Sequence, residues 1–575
     1  MTNNRLLPTS PRLYLWVALG LLLFMNFQNW MRDYPPPAEN PATPQANGAP
    51  APGEDLRNRL PAGAQGAAGA QSTLGTNAGT QASESVAAAP GAAATQPAPV
   101  VHVRTDVLDL DLSTRGGTLT RVDLLAYPQV KGATTPVRLE NQDSDLTLYE
   151  LQSGLTGPPG ASYPDQSALY KSTSPDYRLG SNAVLEVPLS WSADGLKVRK
   201  VFTFRRGQYA IGVRYEVRNE GTTPYELRPY AQILRNDPPT KRSYFNVDSY
   251  AYHGPAMHDG TKYRKLDPTK AEDRALNLEV RNGWLAALQH YFVSAIVPPR
   301  DQPWAFTMSV AGNQYLLSGT GPAERVAPEA SAQFAQTLFV GPKLQSQLQA
   351  TSPELGRVTD YNHLWFLARP LFLLLQSVHS FCGNWGIAII VVTLLLKLLF
   401  YPLSEASGRS MAKMKTLQPR IKNLQETYKD DREKLGRAMM ELYQREKVNP
   451  VAGCLPIIIQ IPVFIAFYWV LLESVEMRQA PFGGWIHDLS ARDPLFILPL
   501  IMAAAMFGQY KLNPTPPDPV QAKVFMFMPL VMSAMFAFFP AGLVLYWVTN
   551  TVLSIAQQWN INRRIEAAAA AKRTN

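Results

Sequence analysis

Cysteine is nearly absent from this chain: 575 residues contain two, Cys382 and Cys454. That scarcity excludes a disulfide scaffold, and neither sulfur has the spacing of a metal site. In the topology argued below the two lie at opposite faces of a membrane and cannot pair. His253 and His258 stand too isolated to argue a metal site, and His290 reads as a structural histidine. No nucleophile elbow, phosphate loop or metal-ligand spacing occurs. The chain is therefore not read as an enzyme, and neither catalytic residues, cofactor nor metal are assigned. Internal repeats are missing too, which weighs against a secondary transporter.

Acidic charge is outweighed. The net charge is +9 and the pI about 9.3. Recognition of a specific nucleic-acid sequence is not inferred from this excess, because the basic residues cluster beside apolar stretches, where membrane orientation explains them. Two materials are joined, a polar part up to about Lys343 and an apolar part after it.

The N-terminus reads as a transmembrane anchor over 1–33: Arg5 and Arg12, then the apolar run Leu13 to Phe27. No small-x-small cleavage site follows, so the run is read as uncleaved. Residues 34–99 are rich in Pro, Ala, Gly, Gln, Ser and Thr. They lack the apolar content to offset ordering entropy and read as a disordered linker. Over 100–345 the signals turn to β: VHVRTDVLDLDLS alternates apolar and polar residues, and LSWSADGLKVRKVFTF places two alternating runs around Asp194-Gly195. A large antiparallel β-sandwich is expected. Trp191, Trp284 and Trp304 are either sugar platforms, as in a sensor, or core and rim aromatics. Leu364 to Leu375, interrupted by Arg369-Pro370, has the length of an interfacial segment within 346–383.

Five apolar stretches follow, 385–403, 454–472, 494–510, 524–539 and 543–559. With the N-terminal run they make six expected membrane spans, several at the short limit. Between the first two lies a basic stretch, 404–449. Leu417, Ile421, Leu424 and Tyr428 recur at coiled-coil spacing, as do Leu435, Met439 and Leu442, with Asp430-Asp431 as a helix start between them. A helical hairpin is expected there, either a solvated, self-paired element or a docking surface through Arg420, Lys422, Arg432 and Lys434. A basic tail, 564–575, ends the chain. The distribution of Lys and Arg puts both termini and the hairpin in the cytoplasm and the β domain outside.

Lys397 is the one charge in the span 385–403. An ionisable residue there is costly and faces a protein interior or a wet cavity, unless it snorkels to the interface. Company argues for a cavity. Thr393 sits one turn before it. Gln460 falls at the same depth on the next span, and Tyr546, Asn550, Ser554 and Gln557 form one polar face on the last. Two readings stay open, a hydrophilic groove and a closed, self-satisfied polar cluster. A transporter using Lys397 as a solute or proton site is the alternative function.

The stretches SMAKMKTLQPRIKNLQ, EKVNPVAGCLPIIIQIPVFIAFYWVL, SVEMRQAPFGGWIHDLSARDP and PAGLVLYWV closely resemble the Oxa family of membrane protein insertases, in its Gram-negative form with a large periplasmic domain. The resemblance implies an inner-membrane, multi-pass protein that inserts and folds other membrane proteins. It implies a five-helix insertase core with a groove open to cytoplasm and lipid, and a β-supersandwich outside. Implied partners are nascent membrane proteins, the Sec translocon (SecYEG with SecDF), the ribosome, the signal recognition particle receptor and membrane lipids. Lys397 aligns with a groove position that is usually arginine, Thr393 with a groove threonine. Tyr546 and Trp547 align with an aromatic pair that contacts the client, with Trp547 standing where tyrosine is usual.

Overall fold

The computed structural model describes residues 56–61, 98–143, 147–236, 251–359, 361, 364–429, 431–446, 455–512 and 519–574. The expected anchor, Cys454 and most of the expected linker lie outside the described residues.

Alternation along the N-terminal part builds two packed sheets. Among the described residues one has eleven strands and the other nine, paired antiparallel except where Val100–Arg104 runs parallel to Asp176–Arg178. Leu108, Leu110 and Leu112 of one strand, and Ile211, Val213, Tyr215 and Val217 of another, face one shared core. The hairpin of Val184–Ala193 with Leu196–Arg205 turns at Asp194 (φ 50°) and Gly195 (φ 81°), both left-handed as a two-residue turn of this twist requires. A side chain at Gly195 would also meet the Gly221 backbone at 2.7 Å. Trp284 and Trp304 are wholly buried, and Trp191 is half-buried against the same core. The two buried rings are therefore core, not sugar platforms: their faces are consumed by packing.

The linker is not featureless throughout. Leu56–Pro61 lies on the eleven-stranded sheet, with Leu56 buried among Leu148, Leu234 and Leu316. Composition averaged over 34–99 hid this short apolar and basic island.

The C-terminal part is helical. Helix α1 is Trp365–Cys382. It passes through Arg369-Pro370 unbroken and runs beyond Leu375, although Pro370, its sixth residue, has no N–H to give the Phe366 carbonyl. Gly383 ends it at φ 64°, with its N–H on the His379 carbonyl. Helix α2, Trp385–Leu399, is capped by the Asn384 side chain, which accepts from the Ile387 N–H. It stops four residues short of Leu403. Pro402 cannot donate to the Leu398 carbonyl, and α3, Tyr401–Thr427, departs at 59°. Helix α4 is Arg432–Arg445. Its start is Asp431, whose side chain accepts from the Lys434 N–H at 3.0 Å. Leu417 and Ile421 of α3 are buried in a small cluster with Met414, Met439, Leu442 and Tyr443.

Helices α5, Leu455–Glu473, α6, Ile497–Leu512, α7, Pro519–Phe536, and α8, Ala541–Thr574, complete the bundle. Helix α6 begins three residues after the sequence expectation, because buried Asp493 takes the N–H groups of Leu495 and Leu498 and fixes the entry. Helix α7 ends at Phe536 rather than residue 539, in turns that lead to Pro540. Helix α8 continues past residue 559 and carries the basic tail to Thr574, as its alanine-rich end favours. No single helix among the described residues is long and apolar enough to cross a membrane, although the bent pair of α2 with Tyr401–Ser410 reaches that length and composition.

The two parts are joined by the α5–α6 loop. Val475 packs into the sandwich core, and His290 Nε2 donates to the Leu472 carbonyl at 2.9 Å. Arg478 donates to the carbonyls of Pro128 (2.8 Å) and Gln129 (3.2 Å).

Candidate functional site

Four helices converge on a narrow cleft. It is lined by Thr393, Leu396 and Lys397 of α2, Phe400 at the bend, Leu403 and Ser404 of α3, Gln460 and Val463 of α5, and Tyr546 and Asn550 of α8, with an empty volume of about 410 Å³ that includes its open side. The bend between α2 and α3 swings Leu403 and Ser404 across the cleft, a contribution that a straight span would not make.

Polar groups cross from helix to helix. Lys397 Nζ donates to Ser554 Oγ at 2.7 Å. Ser554 donates back along α8 to the Asn550 carbonyl at 2.7 Å, leaving its lone pairs to the ammonium. Gln460 Nε2 donates to Asn550 Oδ1 at 2.7 Å, tying α5 to α8. Thr393 is buried and donates to its own helix, to the Ile389 carbonyl at 2.6 Å. Among the described residues no carboxylate pairs with Lys397, which is half-buried. Its position in the last turn of α2 lets the helix dipole offset part of the cost of holding a cation there.

Tyr546 is buried, with its ring 4.7 Å from that of Phe467 and stacked on Phe464 at 5.9 Å. Trp547 stands behind it, edge-on to Phe464 at 4.8 Å and against Phe536 at 5.2 Å. Trp547 thus braces the aromatic wall and does not line the cleft. Gln557 lies one turn beyond Ser554 and is outside the lining, with its Nε2 buried and without a hydrogen-bond partner among the described residues. Sequence reasoning missed Phe464 and Phe467. Their spacing is that of ordinary core positions, so nothing in the sequence set them apart.

One end of the bundle is sealed by the α5–α6 loop. Asn384 Nδ2 donates to the Phe482 carbonyl at 2.8 Å, and the Phe482 ring sits where a side chain at Gly386 would be, 2.1 Å from that missing Cβ. Trp485 Nε1 donates to Asp493 at 3.1 Å. The lysine end of the cleft has no such cover from this loop.

On the hairpin, Arg420 pairs with Glu446 at 2.6 Å and Lys434 with Asp431 at 3.0 Å. The Lys434 N–H and ammonium together hold the Asp431 carboxyl below the usual carboxylate range. Lys422 is exposed, and the side chain of Arg432 is outside the described residues. The four lie on one hairpin, but two already have carboxylate partners. What the cleft offers is one cation, hydroxyls and carboxamides in an apolar frame.

Comparison with known proteins identifies the family of the whole chain. The family described as 60Kd inner membrane protein matches residues 377–568, and the YidC periplasmic domain family matches residues 100–374. A membrane protein insertase YidC of Thioalkalivibrio sulfidiphilus is 43% identical over 573 residues, covering 96% of this chain and 98% of that protein. One of Pseudomonas fluorescens is 44% identical over 578 residues, covering 97% and 99%. Among solved structures, an active YidC insertase with its first transmembrane domain resolved is 20% identical and covers 80% of this chain and 94% of that one, with a TM-score of 0.35.

Proposed function

The chain belongs to the YidC family of membrane protein insertases, and on that premise we propose that it inserts and folds integral membrane proteins in the bacterial inner membrane, with the β domain in the periplasm and the cleft around Lys397 as the client's path. The observation that carries the groove is the half-buried ammonium of Lys397, bonded to Ser554 and facing no carboxylate among the described residues. The relatives do not favour a secondary transporter.

Moving a polar tail through lipid strips water from its backbone and charges. A cleft that reaches part of the way across, open at the lysine end, shortens the dry path. Lys397 attracts acidic residues of the arriving segment. The α5–α6 loop closes the far end, so water does not leak through. The apolar segment then leaves sideways. Leu394, Leu395, Leu398 and Leu399 on α2, and Val524 to Met528, Leu530 and Val531 on α7, are exposed apolar side chains suited to lipid. In this reading both termini are cytoplasmic, six spans form with the N-terminal anchor as the first, and α2 with the start of α3 crosses as one bent span. The hairpin α3–α4 docks the ribosome or the signal recognition particle receptor, and the Sec translocon shares clients.

Site-specific crosslinking tests the groove. A photoreactive residue at Thr393, Gln460 or Asn550 is expected to capture a ribosome-stalled nascent membrane protein, and one at exposed Leu500 on α6 to capture lipid. Equal capture of the client from all four positions would remove the cleft as the path.

A further inference from the structure

Between Tyr34 and Pro99 the only basic residues are Arg57 and Arg59, set in the stretch Leu56-Arg57-Asn58-Arg59-Leu60-Pro61. This stretch lies along the eleven-stranded sheet and is held in a way that reads its backbone. Gln152 Nε2 donates to the Arg57 carbonyl, Gln166 Nε2 to the Asn58 carbonyl and Gln232 Nε2 to the Arg59 carbonyl, each at 3.2 Å. The three glutamines are buried, at 2%, 7% and 0% exposure. A buried carboxamide is costly unless bonded, so three aimed at consecutive carbonyls of one segment make a seat for a peptide. Two side chains add to it. Leu56 fills an apolar pocket of Leu148, Leu234 and Leu316, and the Arg57 guanidinium pairs at 2.8 Å with Glu150, itself buried.

We propose that this face of the β domain is a peptide-binding groove whose resident ligand is the chain's own segment Leu56–Pro61, a clip that pins the middle of the linker to the domain. Recognition needs an apolar residue followed by arginine, then backbone carbonyls on the glutamine row. The mechanical consequence is that this point of the chain, well before Val100, is fixed to the β domain.

The clip is tested on the full-length chain in detergent by limited trypsin digestion, with cleavage after Arg57 and Arg59 followed by mass spectrometry. Docked arginines are cut only from the open population. Leu56→Asp, a change in the linker that leaves the sheet residues intact, is expected to raise both cleavage rates at least about tenfold over wild type. Glu150→Gln, which keeps the shape of the groove but not its charge, is expected to raise them by a smaller factor. Wild-type cleavage as fast as in Leu56→Asp would overturn the clip. A Glu150→Gln rate equal to wild type, with Leu56→Asp fast, would overturn the arginine part of the recognition.

Discussion

Lys397 Nζ and Ser554 Oγ lie 2.7 Å apart across α2 and α8. A lysine that only snorkelled would point away from the bundle, along the exposed leucines of its own helix. This one turns inward, and Ser554 is free to accept because its proton is committed to the Asn550 carbonyl. Lys397→Arg keeps the charge and is expected to remain active, though the longer fork changes the bond to Ser554. Lys397→Ala should slow clients with acidic translocated tails by about tenfold, equivalent to roughly 1.4 kcal/mol of lost attraction. Lys397→Glu should be worse, and neutral tails least affected. Protease protection of tails that differ only in charge reads this out. Equal insertion of every client by the Ala and Glu variants would reduce Lys397 to an anchor.

Gly386 and Phe482 make a second pair. The Phe482 ring occupies the space of a Cβ at Gly386. Gly386→Ala must displace the ring and the loop that seals the cleft, at about 1–3 kcal/mol. A lower thermal midpoint is expected for Gly386→Ala, and partial recovery in Gly386→Ala with Phe482→Ala, because the double variant removes the clash. Additive losses in the two single variants would show that the contact is not tight.

On the hairpin, Lys422 gives the cleanest test of docking, because reversing Arg420 or Lys434 also breaks an internal pair. Such exposed pairs contribute little to stability, being screened by water and salt. Lys422→Glu is expected to weaken cosedimentation with translating ribosomes at low salt and to matter less as salt rises. Binding unchanged at low salt would remove Lys422 from the docking surface.

The sequence revealed some of this readily and some not at all. Alternation and the Asp194-Gly195 turn are local, so the sandwich and its hairpin could be read directly. The polar face of Tyr546, Asn550 and Ser554 follows from helical spacing, and its depth beside Lys397 and Gln460 follows from span order. The bend at Phe400 depends on Pro402 two residues later, inside what looked like one apolar run. Trp547 pairs with Tyr546 only through the family resemblance; successive helix positions diverge by about 100°, and its ring packs against Phe464 and Phe536. The docking of Leu56–Pro61 rests on glutamines far along the chain, a relation no local pattern carries.

Glu140 provides a test of the β domain by pH. Its carboxyl is wholly buried and accepts from Ser294 Oγ at 2.5 Å. Burial pushes its pKa up to about 7 from the ordinary 4.5, against the opposing pull of the Ser294 bond and Arg235. Between those two values the folded chain keeps a proton that the unfolded chain has released. Stability therefore falls as pH rises from about 4.5 to 7, by up to roughly 3 kcal/mol for this one group, and levels off above. Glu476, in the α5–α6 loop, is also pushed up to about 7 by burial and adds a slope of the same sign. Glu140→Gln stays neutral and keeps a polar partner for Ser294. It is expected to flatten about half of the decline and to stabilise the chain at pH 8 by about 1–3 kcal/mol. Thermal unfolding followed by the near-ultraviolet signal of buried Trp284 and Trp304, from pH 5 to 8, measures both effects. A slope in Glu140→Gln equal to that of the wild type would mean that Glu140 is ionised in the folded domain, and that Arg235 offsets the cost of its burial.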